Sequence, residues 1–153
     1  MLTYDPVADA AYLYLVPPKM AMSATQVTSD DPRLWIVLDF SKDDRLLGIE
    51  FLSARHQFTG DVLARAQPAA SMIEPRVGKL AFPRIDLRRN DTLVTSFEGQ
   101  RSGLHHDESR QAITEGLGEG VSFDFLAGKI VRIRIARASQ VCAQWTLEHA
   151  ITG

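Results

Sequence analysis

One hairpin, written twice, constrains this chain more than any other feature. Leu34 to Ala54 reads LWIVLDFSKDDRLLGIEFLSA, two apolar runs (Leu34–Phe40 and Leu46–Leu52) around the polar loop Ser41-Lys42-Asp43-Asp44. In the second run Leu47, Ile49 and Phe51 fall on one face and Gly48, Glu50 and Leu52 on the other, the period of two that a strand imposes. Near the C-terminus, Val121–Phe125 (VSFDF) lies under Ile36–Phe40 (IVLDF), and Lys129–Ala138 (KIVRIRIARA) under Arg45–Ala54 (RLLGIEFLSA). Asp39 meets Asp124, Phe40 meets Phe125, Ile49 meets Ile133 and Ala54 meets Ala138, four identities in fifteen pairs. Leu63 would match Leu147 in the elements that follow. The match is read as a duplicated unit.

The fold class predicted from this is mainly antiparallel β (α+β), with two related β-meander or hairpin units and short helices packed as a pseudo-symmetric globule. A unit of about 60–70 residues buries too little apolar surface to stand alone, so each copy is expected to cover the other. The units are placed at 1–67 and 79–153, with a linker at 68–78 marked by two prolines and small residues.

Along the first unit, Asp5-Pro6 signals a turn, Ala11–Val16 a strand, Pro17-Pro18 its end, and Met20–Thr28 an edge strand. A short helix is expected from Asp61, with Thr59 or Asp61 as its N-cap. In the second unit, Phe82–Leu87 and Thr92–Phe97 read as strands, Asp107–Glu115 as a helix ending at Gly116, and Ala138–Ala150 as a closing helix or irregular segment.

The chain of 153 residues carries a net charge of −2, split without a basic domain. That balance argues against a nucleic-acid partner. No apolar run reaches the ~20 residues of a membrane helix, and MLTYDP does not open like a signal peptide. Cys142 is the single cysteine, which excludes an intrachain disulfide. A cytoplasmic location is expected, with no membrane contact and no cofactor; a homo-oligomer stays open.

Four blocks carry a family resemblance: Tyr4-Asp5; Ala8-Asp9-Ala10-Ala11-Tyr12-Leu13; Val37-Leu38-Asp39; and Leu47-Gly48-Ile49-Glu50-Phe51-Leu52 with Ala54. In this order they resemble the DUF2283 family over about residues 2–58, with a long insertion at Val16–Pro32. The second half resembles a degenerate copy, in which Arg132 and Arg134 replace Gly48 and Glu50. The resemblance implies a compact β-meander with a short helix and no activity. Because some members accompany small toxins, it implies at most a protein-partner role. Its motif positions, Tyr4, Asp5, Asp9, Tyr12, Asp39, Gly48, Glu50 and Ala54, are expected to be structural.

Several residue groups are candidates for chemistry. Asp39 and Asp124 form a paired acid site on one reading, and on the preferred one open hairpin turns by bonding backbone amides. Asp5 and Asp9 could face Tyr12 or Tyr14, but turn chemistry accounts for them. His105-His106-Asp107-Glu108 is metal-like in composition, yet its spacing favours a solvated loop. Cys142 lies in an apolar context and is expected buried. Arg132 and Arg134 share a strand face, and pseudo-symmetry could set Arg134 against Glu50. Three functions follow, with no catalytic residue assigned: a non-catalytic protein-interaction module, antitoxin-like; a small-ligand binder using the crevice between repeats, lined by Tyr12, Tyr14, Trp35 or Trp145; and a metal-dependent hydrolase using the histidine and aspartate groups.

Overall fold

The structure is a computed structural model that describes residues 1–69, 82–97 and 105–152. The first six strands are β1 (Leu2–Asp5), β2 (Ala10–Tyr14), β3 (Thr25–Thr28), β4 (Ile36–Phe40), β5 (Leu46–Phe51) and β6 (Gln67–Pro68). The second six are β7 (Arg84–Leu87), β8 (Leu93–Ser96), β9 (Glu108–Gln111), β10 (Val121–Leu126), β11 (Lys129–Ile135) and β12 (Ile151–Thr152). They form two six-stranded sheets of orders β3-β4-β5-β2-β1-β6 and β12-β7-β8-β11-β10-β9. Read from the β9 end, the second order is the first with every strand advanced by six, so the two units share one topology. Each sheet is antiparallel except at its last strand, where β6 and β12 pair in parallel.

The likeness extends to local irregularities. The β4–β5 ladder shifts register between Asp39 and Phe40, and the β10–β11 ladder shifts between Asp124 and Phe125. The residues displaced by these bulges, Leu47 and Val131, turn their carbonyls to Leu15 N at 3.0 Å and Phe97 N at 3.1 Å. After each hairpin one residue, Ser53 or Arg137, takes positive φ, and two short helices follow. These are α1 (Ala54–Gln57) and α2 (Gly60–Arg65) in the first unit, and α3 (Ala138–Val141) and α4 (Gln144–His149) in the second. Thr59 caps α2 as expected, accepting from Val62 N.

The units share one core. A single buried cluster joins Leu13, Leu38 and Phe51 to Phe97, Phe123 and Ile133. Across the boundary Phe51 meets Phe123 edge-on at 6.4 Å, and Phe58 meets Phe97 at 5.0 Å between ring centroids. Basic residues reinforce the contact reciprocally. Arg45 donates to the carbonyls of Ser139 (2.9 Å) and Gln140 on α3, while its counterpart Lys129 donates to those of Arg55 (2.9 Å) and His56 (3.2 Å) on α1. Each cation thus meets carbonyls that a helix of one turn leaves unpaired.

One expectation needs correction here. Asp107–Glu115 is not a helix: Glu108–Gln111 forms β9, paired with β10, with Ser109 bonded to Asp124 and the Arg110 guanidinium 5.3 Å from the Phe125 ring. Gly116 and Gly118, both at positive φ, follow in the connection to β10. Gln67 and Pro68 form β6, and nearly all of the linker expected at 68–78 lies outside the described residues. β1 and α1 were not foreseen, because four residues are too few to show a period.

Candidate functional site

The motif positions assemble into two groups. The first fixes the β1–β2 turn onto α1. Asp5 Oδ1 accepts from Val7 N at 2.9 Å and Ala8 N at 3.2 Å, the turn role expected of it. Asp9, at positive φ, uses Oδ1 to accept from Tyr4 OH (3.0 Å) and Arg55 N (3.1 Å), and its carbonyl accepts from Ala54 N. Arg55 Nε also donates to Tyr4 OH at 3.0 Å. This carboxylate therefore caps α1 from a distant turn. Ser53 cannot do so, since it makes no capping bond of its own. Asp91, which the sequence reading overlooked, repeats the device: its Oδ1 accepts from Ser139 N at 2.9 Å and its carbonyl from Ala138 N at 2.8 Å.

The second group surrounds Asp39, where the expected turn role fails. Ser41 Oγ makes the bonds to the turn amides of Asp43 and Arg45 instead. Asp39 is 5% exposed, and its carboxylate accepts from Tyr12 OH at 2.6 Å, Gln26 Nε2 at 2.8 Å and Ser23 Oγ at 3.2 Å. Gly48 makes this arrangement fit. A Cβ there would stand 2.4 Å from Tyr12 Cε1 and 2.7 Å from the Leu13 carbonyl oxygen, so only glycine lets the Tyr12 ring cross the strand. Burial first, and then the Asp39 carboxylate, push the Tyr12 hydroxyl well above its ordinary pKa. Tyr14, whose ring lies 4.4 Å from that of Tyr12, shifts the same way. Glu50 stands opposite Tyr12 across the ladder.

Asp124 holds the corresponding place in the second sheet and is also misread as a turn residue; Asp107 bonds the turn amide of Ala127 there. Asp124 is fully buried and accepts from Ser109 Oγ (2.6 Å), Arg132 Nε (2.6 Å) and Arg134 Nη2 (2.9 Å). Burial pushes its pKa up, but the Ser109 and Arg132 bonds and the two positive charges outweigh it and hold the carboxyl below its ordinary range. Arg134 thus turns to its own sheet, not to Glu50 as pseudo-symmetry suggested. Asp39 and Asp124 keep separate partners and do not form a paired acid site.

The remaining candidates scatter. His106 Nδ1 lies 2.9 Å from Arg132 Nη2, and Glu108 pairs with Arg110. Among the described residues no group of three His, Cys, Asp or Glu side chains could hold a metal ion. Cys142 is buried as expected, and burial pushes its thiol up to about 12.

A crevice of about 820 Å³ opens between the units, its walls including Tyr14, Met20, Arg84, Ile85, Trp145 and Ile151. Trp145 stacks on His149 with 4.0 Å between ring centroids. Of the four aromatic residues expected to line it, Tyr14 and Trp145 do. Tyr12 turns to Asp39, and Trp35 lines a separate hollow of about 220 Å³ with His56 and Arg110.

Residues 1–55 match DUF2283, a family described as a protein of unknown function. The DUF2283 segment holds every motif residue of both groups and one wall of the crevice, Tyr14 to Met20. No curated protein and no solved structure matches the chain. Among the described residues no helix is long and apolar enough to cross a membrane.

Sequence reasoning missed Ser23, Gln26, Ser109 and Asp91. For the three donors no signal was available, since each comes from a neighbouring segment and is an ordinary strand or loop residue in the text. Gly48 did carry one: a glycine inside an apolar strand marks the close approach of something else, here the Tyr12 ring.

Proposed function

We propose that the protein is a non-catalytic binder of a small, largely apolar molecule, held in the crevice between its two units. The crevice volume of about 820 Å³ carries this reading. It falls in the range of drug-sized ligand sites, roughly 300–1,000 Å³, which are characteristically apolar hollows with a few polar groups. Tyr14 and Trp145 line it from opposite units, so a ligand would touch both copies at once. Among the described residues no acidic side chain lines the crevice, and the buried carboxylates Asp39 and Asp124 are engaged elsewhere. The arrangement supports holding a molecule more than transforming one.

The test is a titration of the full chain with a panel of apolar metabolites, followed by tryptophan fluorescence. A binder is expected to change the emission of the wild type and of Trp35→Phe, but not of Trp145→Phe. A panel that leaves Trp145 unmoved refutes the reading.

A protein-partner role has one specific observation in its favour. Trp35 and Leu52 are 47% and 43% exposed and adjoin through a 2.8 Å bond from Leu52 N to the Trp35 carbonyl. Two side chains fall well short of the roughly 800 Å² each partner contributes to a standard interface, so the crevice is preferred. Failure of Trp35→Ala to weaken any stoichiometric complex recovered with the chain would remove the support.

A further inference from the structure

We propose that β3 (Thr25–Thr28), the outer strand of the first sheet, is a self-pairing edge. Two copies of the chain join there through an antiparallel β3–β3 contact about a two-fold axis. The contact is separate from the crevice, which β3 does not line.

The four sheet edges carry the argument. The strand orders leave β3 and β6 at the ends of one sheet, β9 and β12 at the ends of the other. An edge strand presents unpaired N–H and C=O groups that another chain can extend, and charge, proline or shortness normally blocks this. β6 has two residues, one of them Pro68, and β12 has two. β9, which holds the place of β3 in the second copy, carries the ion pair Glu108–Arg110. β3 has four residues and neither guard. Met20 to Ser29 runs for ten residues without a charge or a proline, in a chain that is 24% charged. Thr25, Gln26 and Thr28 are exposed.

The register sets how two such edges meet. Ser29 N bonds the Ile36 carbonyl, and Val27 and Thr25 face Leu38 and Phe40 further along β4. Bonded and unbonded pairs alternate in an antiparallel ladder, so Gln26 and Thr28 turn their backbone groups to the open side. Asp30 N, next in that series, donates to the Ala112 carbonyl at 2.8 Å, which closes the edge beyond Thr28. A two-fold through Val27 sets Gln26 of each copy against Thr28 of the other and forms four backbone hydrogen bonds. It also brings the two Val27 side chains together, each half-buried against the core and covered further by the pairing. Every opposed pair is uncharged, with Thr25 meeting Ser29 at the ends. A contact of this kind closes on itself at two chains. It is smaller than a standard interface, so the dimer is weak and depends on concentration.

Sedimentation equilibrium of the full chain, from low micromolar to near-millimolar concentration, tests this. The average mass is expected to rise from one chain towards two and to stop there. Thr28→Pro removes an edge-facing N–H and no bond of the β3–β4 ladder, and should abolish the rise. Thr28→Val keeps a neutral β-branched side chain and should leave it unchanged. Should the proline variant not fold, Thr28→Lys places a cation on the same edge and should raise the concentration of half-association about tenfold. A chain that stays single throughout overturns the proposal. So does a mass that grows past two, the mark of open-ended β3–β9 pairing, or a folded Thr28→Pro or Thr28→Lys chain that associates like the wild type.

Discussion

Asp39 and Asp124 stand on the same rung of the same strand in two copies of one unit, next to the same bulge, and are satisfied by opposite chemistry. Around Asp39 the donors are neutral: a phenol, an amide and a hydroxyl. Around Asp124 they are two guanidinium groups and a hydroxyl. The exchange centres on one position. Gly48 clears the space through which Tyr12 reaches Asp39, whereas its counterpart Arg132 fills that space and bonds the carboxylate itself. What both copies preserve is a buried carboxylate with enough donors around it, which the cost of an unsatisfied buried charge demands. Which donors provide them is open, so one backbone supports a carboxylate held by neutral donors and another held mainly by cations. The Tyr12–Tyr14 contact carries the first arrangement to the crevice wall, tying the motif of the first copy to the proposed ligand site.

The largest effects should come from breaking each arrangement at its distinguishing residue. Arg132→Ala removes a 2.6 Å charged bond from a fully buried carboxylate and should cost roughly 2–4 kcal/mol by chemical denaturation, Arg134 limiting the loss. Gly48→Ala, which adds a single methyl, should cost roughly 2–3 kcal/mol, because the new Cβ meets the Leu13 backbone as well as the movable Tyr12 ring. Were Gly48→Ala neutral, the claim that Tyr12 depends on that glycine would be wrong.

The two sites should also differ in pH response. Asp124 binds its proton less readily folded than unfolded, so its stabilisation is complete above its ordinary value of 3.8 and fades as pH falls below it. Tyr12 holds its proton more firmly when folded, so its contribution is complete below its ordinary value of 10.0 and fades as pH rises beyond. Urea midpoints across pH should therefore show Asp124→Asn flattening the acid limb and Tyr12→Phe the alkaline limb, with the latter also losing about 1–2 kcal/mol at neutral pH. A smaller effect belongs to the reciprocal cations. Arg45→Ala and Lys129→Ala should each cost about 0.5 kcal/mol, given their half-buried position, and similar losses would support the pseudo-dyad.

Much of this architecture was legible in the text, for identifiable reasons. The hairpins at Ile36–Phe51 and Val121–Ile135 showed because alternation over five to seven residues leaves a period-two trace. Their duplication showed because Asp39, Phe40, Ile49 and Ala54 recur in register. The helix expected at Asp107–Glu115 failed because Ser109 and Arg110 owe their conformation to Asp124 and Phe125, which lie fourteen or more residues away. Asp39 and Asp124 were assigned to turns because sequence places them beside loops, while the strands that bring their donors are set by sheet order. The crevice was anticipated in position but only half in lining, since Tyr14 and Trp145 meet there through the docking of the units and no local pattern encodes that.

The claim on which the rest depends is that the copies share a single core and neither is complete without the other. Differential scanning calorimetry of the full chain tests it most directly. The account predicts one cooperative transition whose calorimetric and van't Hoff enthalpies agree. Two resolved transitions, each assignable to one unit, would contradict it.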